Sequence, residues 1–115
     1  MTAARLRLGA AGEDLVAQWY AHRGFEVLDR NWRTRFGELD LIVARADMLA
    51  FCEVKTRSSA AFGTGFDAVT YRKQTRLRAL AADWLRTNPS ESFRSIRFDV
   101  ASVVAGSVEV LECAF

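Results

Sequence analysis

Several residue types are scarce in this chain, and each scarcity narrows the range of functions. Among 115 residues there are one histidine, two cysteines and one proline. No Cys or His pair stands at ligand spacing, which speaks against a zinc site. Cys52 and Cys113 both sit in apolar, strand-like surroundings. That predicts two buried, reduced thiols and a cytoplasmic protein. No apolar run approaches the ~20 residues that a membrane span needs. Met1 to Leu8 is basic, but no apolar segment follows it, so no signal peptide is expected. Lysine is scarce too. Of 16 basic residues only Lys55 and Lys73 are lysines, and the other 14 are arginines. Arg and Lys are not interchangeable where a compact ammonium is needed, so these two positions draw interest.

Half of the residues are hydrophobic. A chain of this length buries roughly 65% of its unfolded surface on folding, enough for one core, and a single domain spanning residues 1–115 is expected. The net charge of +2 says little. Its distribution says more, because Arg30, Arg33 and Arg35 lie close together, as do Arg72, Lys73, Arg76 and Arg78. Such clusters suit a polyanion, and they equally suit a solvated face.

Along the chain, Ala10 to Arg23 reads as a helix, with Leu8, Leu15, Val16 and Trp19 at helical spacing and Gly24 as its stop. Phe25 to Asn31 reads as a strand and Asn31 to Gly37 as a basic loop. Glu38–Arg45 and Met48–Thr56 are apolar on both faces, the mark of central strands covered by helices. Arg57 to Phe66 is a Gly- and Ser-rich loop. Asp67 is the expected N-cap of a second helix ending at Asn88-Pro89, with Val69, Leu77, Leu80 and Trp84 as its apolar stripe. Arg97–Ala105 and Ser107–Cys113 complete the order as strands joined at Gly106. The class is α/β, with the order αβββαββ.

The central hairpin carries the chemistry. A two-residue turn at Ala46-Asp47 pairs Arg45 with Met48. Continued along the ladder, that register puts Asp40 opposite Glu53 and Glu38 opposite Lys55. Opposed residues share a face with Cβ atoms ~4.5–5.5 Å apart, so the four would form one charged cluster. Two carboxylates facing each other repel, and a divalent cation relieves this; Mg²⁺ takes one or two carboxylates plus waters and a substrate phosphate. Lys55 would share the face and reach a water or phosphate. The alternative is a half-buried salt-bridge network. Gly9 and Gly12, each unfavourable in a helix interior, suggest close backbone approach, and Glu13 beside them could point at the cluster or simply favour the helix dipole. Lys73 and Gln74 lie at the core-facing start of the second helix, which suggests either a cleft or snorkelling.

The segments AAGEDLVAQWYAHRGFEVLDRNWRTRFGELDLIV, FCEVKTRSSAAFG, AVTYRKQ, RFDV and the final AF resemble the bacterial YraN-like family, which is similar to Holliday-junction resolvases. The resemblance covers nearly the whole chain. It implies a restriction-endonuclease-like mixed central sheet flanked by helices, and the superfamily signature D-(x)n-(D/E)-x-K. Asp40, Glu53 and Lys55 match that signature, and Glu13 matches the helix-borne acid of resolvase-like members. Gln74 or Lys73 matches a further polar position, while Glu38 belongs to the narrower family's motif. The resemblance implies a Mg²⁺- or Mn²⁺-dependent endonuclease. Its substrate would be DNA, especially branched or junction DNA, and it would act as a homodimer. Asp40, Glu53 and Glu13 would hold the metal, and Arg57, Arg72, Lys73 and Arg76 would contact the nucleic acid. The competing reading is a non-catalytic nucleic-acid-binding protein that keeps the fold.

Overall fold

Ala46 and Asp47 form the tight turn expected of them. The computed structural model describes residues 3–58, 69–89 and 92–115. In it Ala46 takes φ 53°, the left-handed conformation that tight hairpins require. Arg45 pairs with Met48, and the expected register runs on through Ala44–Leu49, Val43–Ala50, Ile42–Phe51 and Leu41–Cys52.

The elements are α1 (Ala3–Ala21), β1 (Glu26–Thr34), β2 (Gly37–Arg45), β3 (Met48–Arg57), α2 (Tyr71–Thr87), β4 (Ser95–Val104) and β5 (Ser107–Leu111). This is the expected αβββαββ order. The five strands form one open sheet in sequential order, β1-β2-β3-β4-β5. β3 and β4 run parallel, and the other neighbours are antiparallel. A parallel pair needs a long crossover, and the segment bearing α2 supplies it.

The strand period of two divides the core. Leu41, Val43, Ala50 and Cys52 point to one face and pack with Val16 and Tyr20 of α1. Ile42, Leu49 and Phe51 point to the other and pack with Leu77, Leu80, Ala81 and Trp84 of α2. The helices therefore cover opposite faces, which is why β2 and β3 lack a polar face. No described helix is long and apolar enough to cross a membrane.

Several expectations are corrected. α1 starts at Ala3 rather than Ala10, and its Leu8 is exposed while Val16 and Tyr20 are buried. The segment 31–37 is not a loop. β1 runs to Thr34 because Trp32, Arg33 and Thr34 pair with Leu39, Glu38 and Gly37, leaving only Arg35 and Phe36 as the turn. α2 begins at Tyr71, where Thr70 is the N-cap and accepts from Lys73 N. Asp67, expected in that role, lies outside the described residues, as does the loop from residue 59 to 68. β5 ends at Leu111, so Cys113 falls in the following turn at φ 51° and is exposed, not buried.

A candidate metal and phosphate site at the sheet fork

Past Leu41–Cys52 the β2–β3 ladder stops. Asp40 is not rung-paired with Glu53, nor Glu38 with Lys55. β2 stays joined to β1 through Leu39 and Glu38, and β3 stays joined to β4 through Glu53–Val100 and Lys55–Ser102. The sheet thus forks between its two central strands. Repulsion between facing carboxylates favours such an opening. A side-chain hydrogen bond spans it, from Val54 N to Asp40 Oδ2 at 2.8 Å.

The opened rungs still bring the expected side chains together. Glu38, Asp40, Glu53 and Lys55 line one cavity of about 520 Å³, along with Glu13, Arg30, Asn31 and Arg33. Glu13 arrives there because α1 lies close on β3. Any Cβ at the buried Gly12 would collide with the Thr56 side chain. Gly9, in contrast, has open space around it, so only one of the two helix glycines marks a close approach. A second cavity of about 260 Å³ shares Glu38, Asp40, Glu53 and Lys55, and continues to Lys73 and Arg76 on α2. The cluster is therefore reachable from both helix layers.

Its charges are mutually strained. Asp40 and Glu53 are each 9% exposed. Burial, then the neighbouring Glu53, pushes the Asp40 carboxyl up to about 7; the Val54 N–H opposes this, and Glu13 and Glu38 add to it. Burial also raises Glu13, against the pull of a hydrogen bond with Asn31 and the nearby Arg30. Glu13 Oε2 is buried and has no hydrogen-bond partner. Glu53 is better served, since Oε1 faces Lys73 Nζ at 2.9 Å and Lys55 Nζ at 3.6 Å. Burial and then the adjacent Lys73 lower Lys55. Lys73, the closer partner, is raised: its contacts with Lys55 and Glu53 outweigh the burial that opposes its charge. Glu38 is engaged by Arg33 at 2.7 Å.

The remaining expected residues divide. Lys73 caps Glu53, so the start of α2 borders a cleft instead of merely snorkelling. Arg76 lines the second cavity and is exposed, and Arg72 is exposed one turn earlier. Gln74 is directed elsewhere. Its Nε2 donates to Val69 O at 3.3 Å, and it lines neither cavity. Arg57 also lines neither; it sits at the end of β3 opposite Val104. Asn31 was not singled out from the sequence. It lies between Arg30, paired with Leu41, and Trp32, paired with Leu39, and hence beside Asp40. A register shift between Val27 and Asp29 hides that placement from pattern reading.

Asp99 belongs to the RFDV segment, but the sequence assigned it no role. It is fully buried on the α1 side, outside both cavities. It accepts from Tyr20 Oη at 2.6 Å, from Arg97 Nη2 at 3.0 Å and from Cys113 N at 3.1 Å. These partners make it a structural ion pair. Burial pushes the neighbouring Cys52 thiol upward, so it stays protonated and inert. Among the described residues, no group of three or more His, Cys, Asp or Glu is placed to hold a metal ion.

Comparison with known proteins matches most of the chain to one family. A family model described as "Uncharacterised protein family UPF0102" matches residues 12–103, a span that includes Glu13, Asp40, Glu53 and Lys55. A UPF0102 protein of Rhodococcus opacus (strain B4) is 50% identical over 101 residues, covering 88% of this chain and 85% of that protein. One of Parafrankia sp. (strain EAN1pec) is 50% identical over 107 residues, covering 90% of each. One of Alkaliphilus oremlandii (strain OhILAs) is 44% identical over 98 residues, covering 84% of each.

Proposed function

The chain belongs to the UPF0102 family, and we propose that it is a metal-dependent endonuclease of the restriction-endonuclease-like kind that hydrolyses DNA phosphodiester bonds. The observation that carries this reading is the convergence of Asp40, Glu53 and Lys55 at the fork, beside the unpartnered Glu13 Oε2. The acid-acid-lysine spacing is the superfamily's signature, and the open five-stranded sheet with a helix on each face is compatible with its fold.

The donor set suits Mg²⁺ or Mn²⁺. Two hard carboxylates suffice for Mg²⁺, which keeps several waters and draws further ligands from the substrate phosphate. Both the raised Asp40 and the orphaned Glu13 oxygen would be relieved by a cation. Asp40 and Glu53 would hold it, and Glu13, which is not placed as a third ligand, would accept from its coordinated waters across the cavity. When bound, the metal supplies Lewis acidity that activates water and neutralises phosphate charge.

The side chains do the rest. Lys55 positions the attacking water or a phosphate oxygen from the edge of the cavity. Lys73 holds Glu53 in place and would turn to a substrate phosphate once a cation takes that carboxylate. Arg76 and Arg72 receive the flanking phosphates. As the water oxygen bonds to phosphorus it gives up a proton to solvent, one P–O ester bond breaks, and the departing oxygen takes up a proton from solvent. Branched or junction DNA, cut by a homodimer, is the substrate that the likeness to resolvases favours.

The test is hydrolysis of linear and branched DNA with Mg²⁺ or Mn²⁺ by the wild type, Asp40→Asn and Lys55→Ala. Activity is expected in the wild type alone, and cleavage persisting in both purified variants overturns the assignment. One observation favours a second reading, a nucleic-acid-binding protein without catalysis: Lys73 and Lys55 already neutralise Glu53. That reading predicts salt-dependent DNA binding through Arg72 and Arg76 with no cleavage under any metal, whereas a cluster that is only a salt-bridge network predicts no Mn²⁺ binding by calorimetry.

A further inference from the structure

The turn between β1 and β2 presents an aromatic ring where no packing asks for one. Phe36 is 64% exposed at the tip. Isolated exposed apolar residues are ordinary, but this one is mounted. Its N–H donates to Thr34 Oγ1 at 3.1 Å. The Arg35 guanidinium lies over its ring at 4.8 Å from the centroid. Next to it, Gly37 takes φ 145°, with Leu80 and Arg76 of α2 packed against it. The tip is thereby seated on α2, at the edge of the cavity shared by Gly37, Arg76, Lys73 and the carboxylate cluster. Arg35 over the ring and Arg76 beside Gly37 bring positive charge to the tip, while Arg33 is already paired with Glu38; this suits a polyanion.

We infer that Phe36 is a stacking finger for an unpaired base, so that the site selects DNA with a single-stranded interruption over continuous duplex. The inference rests on the nuclease reading of the fork. A base in an intact duplex is stacked on both sides and offers no free face, whereas an unpaired base stacks readily on an aromatic ring. Guanidinium on the opposite face of the ring adds to the platform. Geometry sets the reach. Phe36 is four residues from Asp40, at most ~14 Å at ~3.4 Å per residue. Stacked nucleotides rise 3.4 Å each along a strand, so the gripped base lies within about four nucleotides of the phosphate at the fork.

Binding is measured by fluorescence anisotropy at one fixed salt concentration with EDTA, so that no cleavage intervenes. The probes are an uninterrupted duplex and the same duplex with a short flap carrying 2-aminopurine at its first unpaired position. The wild type is expected to bind the flap DNA more tightly and to quench the 2-aminopurine. Phe36→Ala should weaken flap binding by about 5- to 150-fold, the value of one stacked base, lose the quenching and leave duplex binding unchanged. Phe36→Trp should retain both flap readouts, and Phe36→Leu should lose the quenching. An equal loss on both DNAs, or no loss, overturns the inference. Separate cleavage assays keep the two readings apart. Flap-specific quenching without cleavage sinks the nuclease and leaves the finger, and cleavage indifferent to Phe36 does the reverse.

Discussion

Asp40 is held in a place that disfavours its charge, and neutralising it should strengthen the metal-free protein. Its carboxyl is raised from 3.8 to about 7, first by burial and then by Glu53. The folded state therefore binds its proton more tightly than the unfolded chain does. Asp40's contribution to stability is fully present below pH ~4 and is lost as pH rises to ~7. At ~1.36 kcal/mol per pKa unit the loss is at most about 4 kcal/mol. Asp40→Asn keeps an oxygen that can accept from Val54 N and removes the charge. Its new amide N–H groups need partners, which offsets part of the gain. A stabilisation on the order of 2 kcal/mol is expected at pH 8 in EDTA, equivalent to roughly 6–10 °C in Tm for a chain of this size. Urea and thermal unfolding from pH 4 to 8 should show wild-type stability falling steeply and the variant's falling less, since the raised Glu13 still titrates in it. Mg²⁺ at about ten times its Kd should then stabilise the wild type by ~1.4 kcal/mol and the variant not at all. A variant less stable than the wild type at pH 8, or an equal Mg²⁺ effect on both, would refute the reasoning.

Gly12→Ala removes a helix-interior glycine, worth ~1 kcal/mol by propensity alone. The collision with Thr56 should outweigh this and destabilise the protein by about 1–3 kcal/mol, partly recovered by adding Thr56→Ala; a net stabilisation in denaturant melts would contradict the close contact of α1 with β3. Asp99→Asn leaves Arg97 with only the more distant Glu112 and Tyr20 without its charged acceptor, and unfolding should become easier by about 3 kcal/mol while metal affinity, read by calorimetry, stays unchanged. Arg76→Ala should weaken DNA binding similarly on all sequences and lower the slope of log K against log salt by about 1; an unchanged slope removes Arg76 from the phosphate path.

The turn at Ala46-Asp47 was legible because register follows from turn length alone, and it correctly set every rung from Arg45–Met48 to Leu41–Cys52. The two-sided apolarity of β2 and β3 announced the helix cover on both faces. Extrapolating the rungs to Asp40 and Glu53 failed for an electrostatic reason. A ladder carries no term for two carboxylates meeting in a dry interior, and the chain relieves that meeting by forking. The exposed Cys113 was misjudged because alternation does not reveal where an edge strand ends.

By itself the sequence determined the order of elements, the central hairpin and the chemical types at the cluster, since these depend on local period and turn chemistry. Only the tertiary structure decided which of those residues meet. Glu13 reaches the fork because Gly12 lets a distant helix settle on Thr56. Lys73 rather than Gln74 faces Glu53 because Leu77, Leu80, Ala81 and Trp84 pack on the sheet and set the rotation of α2. Asn31 stands beside Asp40 because of a bulge in β1. The first two placements are contacts between segments remote in sequence and the third follows a register shift within one hairpin, and pattern along one segment reveals neither.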